Sequence, residues 1–414
     1  MNDKTPKPKM STSFVYHAFG ATTYNYRTTK YEDGAIFIYL EKKPRHRRCT
    51  TCRSRNVSLE GMGTTTVKTV PIGKKPVFLV LLLHVLRCKD CGVLARESRD
   101  LADPLKSYTR RFATLVLDLS KEMTITAIAR YLGVGWDLVK SIIKEGLEQK
   151  LKGRSFRRVR YIAIDEIAIR KGHEYMTVVV DLETGQVLFT AEGKDHECLK
   201  PFFQRLRRAG AKLEAVAMDM SSAYLKAVRT YWPHEVALVH DHYHVVSNMN
   251  EVVDSVRRDE QNQQNEEGKK LIKGSRYLLL RGKEKLAEMP EKQSRLDELL
   301  EVNQTLHKVY LLKEDLRQFW SQQSKEDAED FIKQWIAEAM ALKNEHVTRF
   351  ARTIKKRIEG ILAWYEHKIT TGPLEGFNNK IKVFKRAAYG YRDPKFFGLR
   401  ILFLHETGFK LNGS

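Results

Sequence analysis

Three acidic residues, Asp165, Asp219 and Glu375, have the types and settings for shared chemistry. Asp165 closes the apolar run Tyr161-Ile-Ala-Ile, and Asp219 closes Glu214-Ala-Val-Ala-Met. Both runs read as buried strands ending in an acid, so neighbouring parallel strands would present the two carboxylates side by side. Glu375 follows Gly372-Pro373, where proline suits the first turn of a helix. On that helix Leu374, Phe377, Ile381 and Phe384 make an apolar face, while Glu375, Asn379, Lys382 and Arg386 share another. Gathered carboxylates suit phosphodiester chemistry, in which two Mg2+ ions about 3.5–4 Å apart activate the attacking oxygen and stabilise the leaving one. Mg2+ takes hard oxygen ligands and keeps waters, so a few carboxylates and a substrate phosphate suffice. Each acid alone has an ordinary explanation, as a turn residue or a helix-dipole partner. The three in this element order favour the metal.

The elements that would position these acids run in a recognisable order. After the strand at Tyr161–Asp165 come a hairpin (Tyr175–Asp181 and Gln186–Ala191, around Leu-Glu-Thr-Gly), a helix at Cys198–Arg208, the Asp219 strand, a helix near Ala223–Tyr231 and a fifth strand at Val236–Asp241. Three strands, helix, strand, helix, strand is the order of the RNase H-like fold, a mixed sheet flanked by helices. Past His244 the chain turns helical for over a hundred residues, rich in Glu, Lys, Gln and Leu, and Phe350, Ile354, Ile358, Ile361, Leu362 and Tyr365 mark one apolar face. Trp320, Trp335 and Trp364 read as core. Of the three alternate histidines, His244 is expected to orient an active-site group or phosphate, and His240 and His242 to be structural.

Four of five cysteines fall in two knuckles, Cys49-Thr-Thr-Cys52 and Cys88-Lys-Asp-Cys91. In a chain of cytosolic character two such pairs read as a Zn2+ site rather than disulfides, each turn supplying two thiolates of a tetrahedron. Strand-like stretches, Thr64–Val70 and Val77–Leu86, lie between them, and only the second knuckle carries a following glycine, Gly92. Lys42, Lys43, Arg45, Arg47, Arg48, Arg53 and Arg55 crowd the first. Cys198 stands alone and reads as a small apolar residue.

Between the cysteines and the first acid, three apolar stripes at helical spacing occur: Tyr108, Phe112, Leu115, Val116 and Leu119; Ile125, Ile128, Ala129 and Leu132; Leu138, Val139, Ile142, Ile143 and Leu147. The turn Gly133-Val-Gly135 separates the last two, as in a helix-turn-helix. Its second helix would enter a DNA major groove with Trp136, Asp137, Lys140, Ser141 and Lys144. Lys plus Arg number 73 against 51 Asp plus Glu, a net charge of +22. Such an excess points to a polyanionic partner, and Lys and Arg displace counterions from nucleic-acid phosphates. At 414 residues and 42% hydrophobic the chain has room for two or three folded domains. Its longest apolar run, Val77–Leu86, falls far short of the roughly 20 residues that span a bilayer, and Met1–Lys7 lacks an apolar stretch. The expectation is a cytoplasmic, nucleoid-associated protein with no membrane partner.

Longer motifs resemble one family. Ile164-Asp165-Glu166, Arg170-Lys171-Gly172-His173-Glu174-Tyr175 and Asp181-Leu-Glu-Thr184 resemble the first catalytic block of bacterial insertion-sequence transposases of the ISL family. Met218-Asp219-Met220-Ser221 with Tyr224 is similar to its second block. Asp241-His242-Tyr243-His244 is similar to the Asp-x-x-His motif before the helical insertion of many DDE transposases. Gly372-Pro373-Leu374-Glu375-Gly376-Phe377-Asn378-Asn379-Lys380-Ile381-Lys382, with Lys385-Arg386 and Tyr389-Gly390-Tyr391, resembles the C-terminal block most closely. Thr370-Thr371 stands where the family often has Ser-Asn.

The resemblance implies a DDE transposase with Asp165, Asp219 and Glu375 as catalytic ligands of Mg2+ or Mn2+. It also implies Asp241 and His244 in support, and Cys49, Cys52, Cys88 and Cys91 on structural Zn2+. Trp136, Lys140, Ser141 and Lys144, then Asn379, Lys380, Lys382 and Arg386, would contact DNA. The expected fold is multidomain α/β: a zinc-ribbon-like module with a flexible N-terminus over 1–100, an all-α helix-turn-helix over 101–152, and an RNase H-like core over 153–245. The core resumes at 370–414 after a helical insertion over 246–369. Expected partners are double-stranded DNA (terminal inverted repeats and target) and further copies of the chain in a dimer or larger synaptic complex. The rivals are a catalytically silent regulator derived from a transposase and an RNase H-like nuclease or resolvase.

Overall fold

The computed structural model describes residues 12–170, 174–233 and 235–406. Lys171-Gly172-His173 of the first motif and the N-terminal segment 1–11 lie outside the described residues. The chain forms two compact units. One holds the residues up to 153 with 384–391, and the other 154–383 with 392–405.

The first unit opens with helix α1 (Thr12–Phe19) and strands β1 (Tyr24–Glu32) and β2 (Ala35–Lys42). A long hairpin follows, β3 (Val57–Ile72) and β4 (Lys75–Cys88), then a short β5 (Leu94–Arg96). The strand order is β1-β2-β4-β3, with β5 also on β4; β2 and β4 are parallel and the other pairs antiparallel. The module is therefore more than a zinc ribbon. Val15 and Phe19 of α1 pack on Ile38, Leu40, Val67, Leu79, Leu81 and Leu83, a core that owes nothing to the cysteines. Helices α2 (Arg110–Leu119), α3 (Ile125–Leu132) and α4 (Trp136–Lys152) complete the unit. Thr109 caps α2 by accepting the Phe112 N–H, and Thr124 caps α3 by accepting that of Ala127. Gly133 ends α3 at φ +58°, where a glycine avoids the left-handed penalty of a Cβ. Tyr108, Phe112, Val116, Ile128, Leu132, Val139, Ile142, Ile143 and Leu147 are the buried members of the three stripes.

In the second unit, strands β6 (Tyr161–Arg170), β7 (Glu174–Asp181) and β8 (Val187–Glu192) form an antiparallel meander. Helix α5 (Lys200–Arg208), strand β9 (Ala215–Met218), helix α6 (Ser222–Tyr231) and strand β10 (Ala237–His240) follow. The sheet order is β10-β9-β6-β7-β8, with β9 and β10 parallel to β6. This is the expected RNase H-like mixed sheet. Phe202, Phe203 and Leu206 of α5 and Tyr224 and Val228 of α6 cover it with Ile162, Ile164, Val216 and Met218.

The helical stretch begins at His242, since Asp241 caps it. Helix α7 (His242–Gln263) is followed by α8 (Glu266–Ile272), α9 (Arg276–Leu280), α10 (Lys283–Ala287), α11 (Pro290–Val302), α12 (Gln304–Gln318), α13 (Lys325–Ala341), α14 (Glu345–Leu362) and α15 (Trp364–His367). They share a core of their own that includes Met249, Leu299, Val309, Phe319, Trp335 and Ile354. Trp335 is fully buried, whereas Trp320 is only partly so. The chain closes with α16 (Gly372–Ala387) and α17 (Pro394–Leu402). Among the described residues no helix is long and apolar enough to cross a membrane.

Candidate active site and cysteine cluster

The register of the sheet brings the first two acids together. Ile164 on β6 lies opposite Met218 on β9, so Asp165 and Asp219 each follow one half of the last parallel pair. Neighbouring strands sit about 4.8 Å apart. Asp165 does not end its strand. Pairing with β9 stops at Ile164, but pairing with β7 runs on to Arg170, because an antiparallel partner remains when the parallel one has turned away.

Both carboxylates are held by the protein. The Asp165 Oδ1 accepts the Glu166 N–H at 2.8 Å, and its Oδ2 accepts the Asn378 side-chain N–H at 2.8 Å. The Asp219 Oδ1 accepts the Ser221 N–H at 2.9 Å. Burial raises both carboxyls above the usual carboxylate range, and the nearby Asp219 charge adds to the effect on Asp165. Such a pair gains from a cation.

The third acid meets the first in one cleft, whose lining does not include Asp219. Glu375, in the first turn of α16, lines a cleft of about 320 Å³ with Asp165, Asp241, His244, Asn378 and Lys382. It is three residues from Asn378, so one face of α16 carries the exposed acid and the amide that grips Asp165. The Oδ1 of Asn378 is buried without a partner, an uncommitted hard oxygen beside the carboxylates. Hard oxygen donors, buried acids and this orphan amide oxygen fit a magnesium-like ion.

Asp241 and two histidines build the surroundings. The buried Asp241 accepts the Tyr243 and His244 N–H groups on Oδ1, capping α7, and the Thr371 N–H at 2.7 Å on Oδ2. It thereby ties the end of β10 to the residue before α16. His244 lines the cleft and attracts both Asp165 and Asp219 electrostatically. His242 packs against Trp320 instead. His240 is buried, and burial pushes its imidazole down to about 4, so it is neutral at pH 7. Its Nδ1 lies 3.1 Å from the Asp219 carbonyl and donates to it.

Gly360 of α14 makes room for that ring, since a Cβ there would lie 2.5 Å from the His240 Cδ2. Gly360→Ala therefore should cost about 1–3 kcal/mol by overpacking, despite alanine's better helix propensity. It should also lower activity through Asp219; thermal melts and cleavage assays on one preparation check both.

Some members of the site carried little sequence signal. Glu166 accepts the Tyr224 hydroxyl at 3.0 Å, and burial raises its carboxyl. Lys194 approaches Glu166 at 4.0 Å, and its charge offsets a little of the rise that burial imposes on the Asp219 carboxyl. Of the expected DNA contacts, Asn379 and Lys382 line the cleft. Lys380 is half-buried, with its ammonium pushed down by burial, and Arg386 is exposed further along α16. On α4, Trp136 is exposed, Lys140 lies over its ring at 5.6 Å, Ser141 bonds Glu145, and Lys144 is half-buried.

The four cysteines of the two knuckles meet. Their sulfurs all lie within 4.8 Å of one another, the only group of three or more His, Cys, Asp or Glu so close among the described residues. Cys49 and Cys91 are 3.7 Å apart, and Cys52 and Cys88 3.5 Å. Those separations exceed a disulfide bond and suit a tetrahedron with zinc–sulfur bonds of about 2.3 Å, whose edges are roughly 3.8 Å. Gly92 takes φ +72° after the second knuckle, and Arg53 takes the matching position at φ +65° after the first. The missing glycine there changes the residue, not the turn. The Cys52 and Thr51 N–H groups pull the Cys49 thiol down to about 6. Asp90 joins the knuckles by accepting from Ser54 and, at 2.8 Å, from Asn56. Cys198 lies apart, its sulfur near the Thr177 hydroxyl.

Residues 162–401 match a family described as transposase, the DDE group of ISL3. Residues 98–146 match the helix-turn-helix domain of transposase family ISL3. The chain is 35% identical over 370 residues to the transposase for insertion sequence element IS1001 of Bordetella parapertussis, covering 88% of this chain and 90% of that protein. It is 27% identical to the transposase for insertion sequence element IS1557 of Mycobacterium tuberculosis, covering 88% and 87%. A solved structure, the Drosophila P element transposase strand transfer complex, aligns over 69% of this chain and 92% of its own at 12% identity and a TM-score of 0.33. The chain belongs to the ISL3 family of DDE transposases, enzymes that cleave DNA and transfer its strands.

Proposed function

We propose that this transposase binds the terminal inverted repeats of its own mobile element and acts on them through Asp165, Asp219 and Glu375, which hold divalent Mg2+ or Mn2+. The observation that carries the reading is the meeting of Glu375 and Asp165 in one cleft, with Asp219 one strand away. The ion, when bound, supplies activation of the attacking oxygen and neutralisation of the leaving one. The chain's own groups do the rest. Glu166 N–H and Asn378 fix the Asp165 carboxylate, Ser221 and His240 fix Asp219, and Asp241 anchors the start of the Glu375 helix. Asn379 and Lys382, on the cleft wall, offer a donor and a positive charge to the substrate backbone.

Zn2+ on Cys49, Cys52, Cys88 and Cys91 holds the cysteine end of the N-terminal module together, and α4 reads the major groove with Trp136, Lys140, Ser141 and Lys144. Two ends must be cut and paired, so the working form holds at least two copies and acts on cytoplasmic, nucleoid DNA. The test is Mg2+-dependent cleavage and joining of element ends by wild type and by Asp219→Ala, with DNA binding measured on both. The reading expects joined products from wild type alone. Equal inactivity with equal binding would instead make the chain a silent regulator, and cleavage without joined products a nuclease.

A further inference from the structure

The hairpin of β3 and β4 ends in a basic tip set against the helix-turn-helix. Ile72 pairs with Lys75 across the two-residue turn Gly73-Lys74, with Gly73 at φ +58°. The hairpin is anchored a few residues below its tip. Lys68 of β3 bridges to Tyr108 and donates through Nζ to the Gly133 carbonyl at 3.1 Å, in the turn between α3 and α4. Pro71, Gly73, Lys74 and Pro76 line one cleft with Arg130 and Tyr131 at the end of α3. Tyr131 is 57% exposed there, a large amphipathic ring left in solvent.

The charges at this tip are not neutralised. Lys74, Lys75 and Arg130 are exposed, and among the described residues none of them makes an ion pair. Their neighbours differ: Lys106 is paired with Glu145 at 2.7 Å and Arg110 with Asp103 at 2.7 Å. A tip that served only solubility would not need anchoring to the turn that opens α4. At a strand rise of about 3.3 Å per residue, the tip stands roughly 40 Å from the cysteine cluster at the other end of β4. That is longer than one turn of DNA, about 34–36 Å.

We propose that the β3–β4 tip is a wing that grips the DNA backbone beside the groove occupied by α4, with Lys74, Lys75 and Arg130 on phosphates. The inference rests on the reading that α4 contacts DNA and adds a second contact that the helix does not make. The partner is double-stranded DNA, recognised by phosphate charge and groove shape rather than by base edges. Tyr131 packs against the sugar edge between the wing and the helix.

The experiment is a titration of full-length protein against a duplex carrying one end of the element, at salt from 50 to 200 mM, with hydroxyl-radical footprinting. Wild type, Lys74→Ala with Lys75→Ala, and Lys140→Ala with Lys144→Ala are compared. Lys74 and Lys75 lie on an exposed turn, and equal zinc content and circular dichroism verify folding. Losing two phosphate contacts should reduce the salt slope of log affinity by about 1.8, roughly a twelve-fold change in affinity across that range. Protection should disappear on one flank only, while the protection centred on the α4 groove stays. An unchanged slope and footprint in the wing variant, while the α4 variant loses binding, would overturn the wing and leave the α4 reading standing. A wild type that protects no part of the end would remove both.

Discussion

Asp165→Asn should abolish cleavage and joining and leave binding to DNA ends intact. Asparagine keeps the shape, so a contact with the Glu166 N–H or with Asn378 survives, but the charge that holds a divalent ion goes. Metal activation is worth several kcal/mol, and each 1.36 kcal/mol is ten-fold, so the loss should be roughly a thousand-fold or more. The same substitution should move stability the other way. Burial raises the Asp165 and Asp219 carboxyls. An acid with a raised folded value binds its proton more tightly when folded, so metal-free stability is greatest below the unfolded value of about 3.9. It falls as the pH climbs through the folded values. At pH 7 the metal-free wild type carries the full penalty, and the variant carries less. Metal-free Asp165→Asn should therefore melt higher than wild type at pH 7, and about equally in strong acid. Mn2+ should raise the wild-type melt and leave the variant nearly unmoved. Melting curves at both pH values, with and without Mn2+, decide it; an equal Mn2+ response in both proteins would remove Asp165 from the metal site.

The second large effect concerns zinc. Stripping the metal with a chelator, or replacing Cys88 by Ser, should unfold the cysteine end of the first unit. Structural zinc in small modules contributes apparent free energies of about 10–16 kcal/mol at pH 7. Here the loss is local, because Ile38, Leu40, Val67 and Leu79 pack without help from the sulfurs. The stretch from Cys49 to Val57, the end of β4 and β5 should become sensitive to protease, and affinity for DNA ends should drop. Zinc measured per chain, limited proteolysis and a binding titration check this. A chain purified free of zinc with that stretch resistant to protease would refute it.

The catalytic half was the more legible part of the chain. Apolar runs ending in Asp165 and Asp219 announce buried strands, and Gly372-Pro373 announces the helix of Glu375, so the order of these elements along the chain follows from local pattern. In the N-terminal module Thr64–Val70 and Val77–Leu86 announce the long hairpin of β3 and β4, but β1 did not announce itself. β1 reads Tyr-Asn-Tyr-Arg-Thr-Thr-Lys-Tyr-Glu, mostly exposed, and lacks the apolar alternation of a half-buried strand. The partners that hold the acids were also hidden. Asn378 meets Asp165 across 213 positions and Asp241 meets Thr371 across 130, separations no local pattern reports. Asn378 did leave one usable trace, its place three residues after Glu375 on the same helix. Gly360 left none, since its reason is the ring of His240 arriving from another element.

The bond from Asp241 to Thr371 has a consequence for how such a chain tolerates change. One buried carboxylate receives the backbone both where the long helical excursion departs and where it returns. The excursion is thus cinched at its base, and its closure cost is set once, growing only slowly with the length enclosed. Residues added or lost between α8 and α13 alter the size of the appendage without shifting the spacing of the acids. A lineage can refashion the one while leaving the other under unbroken selection.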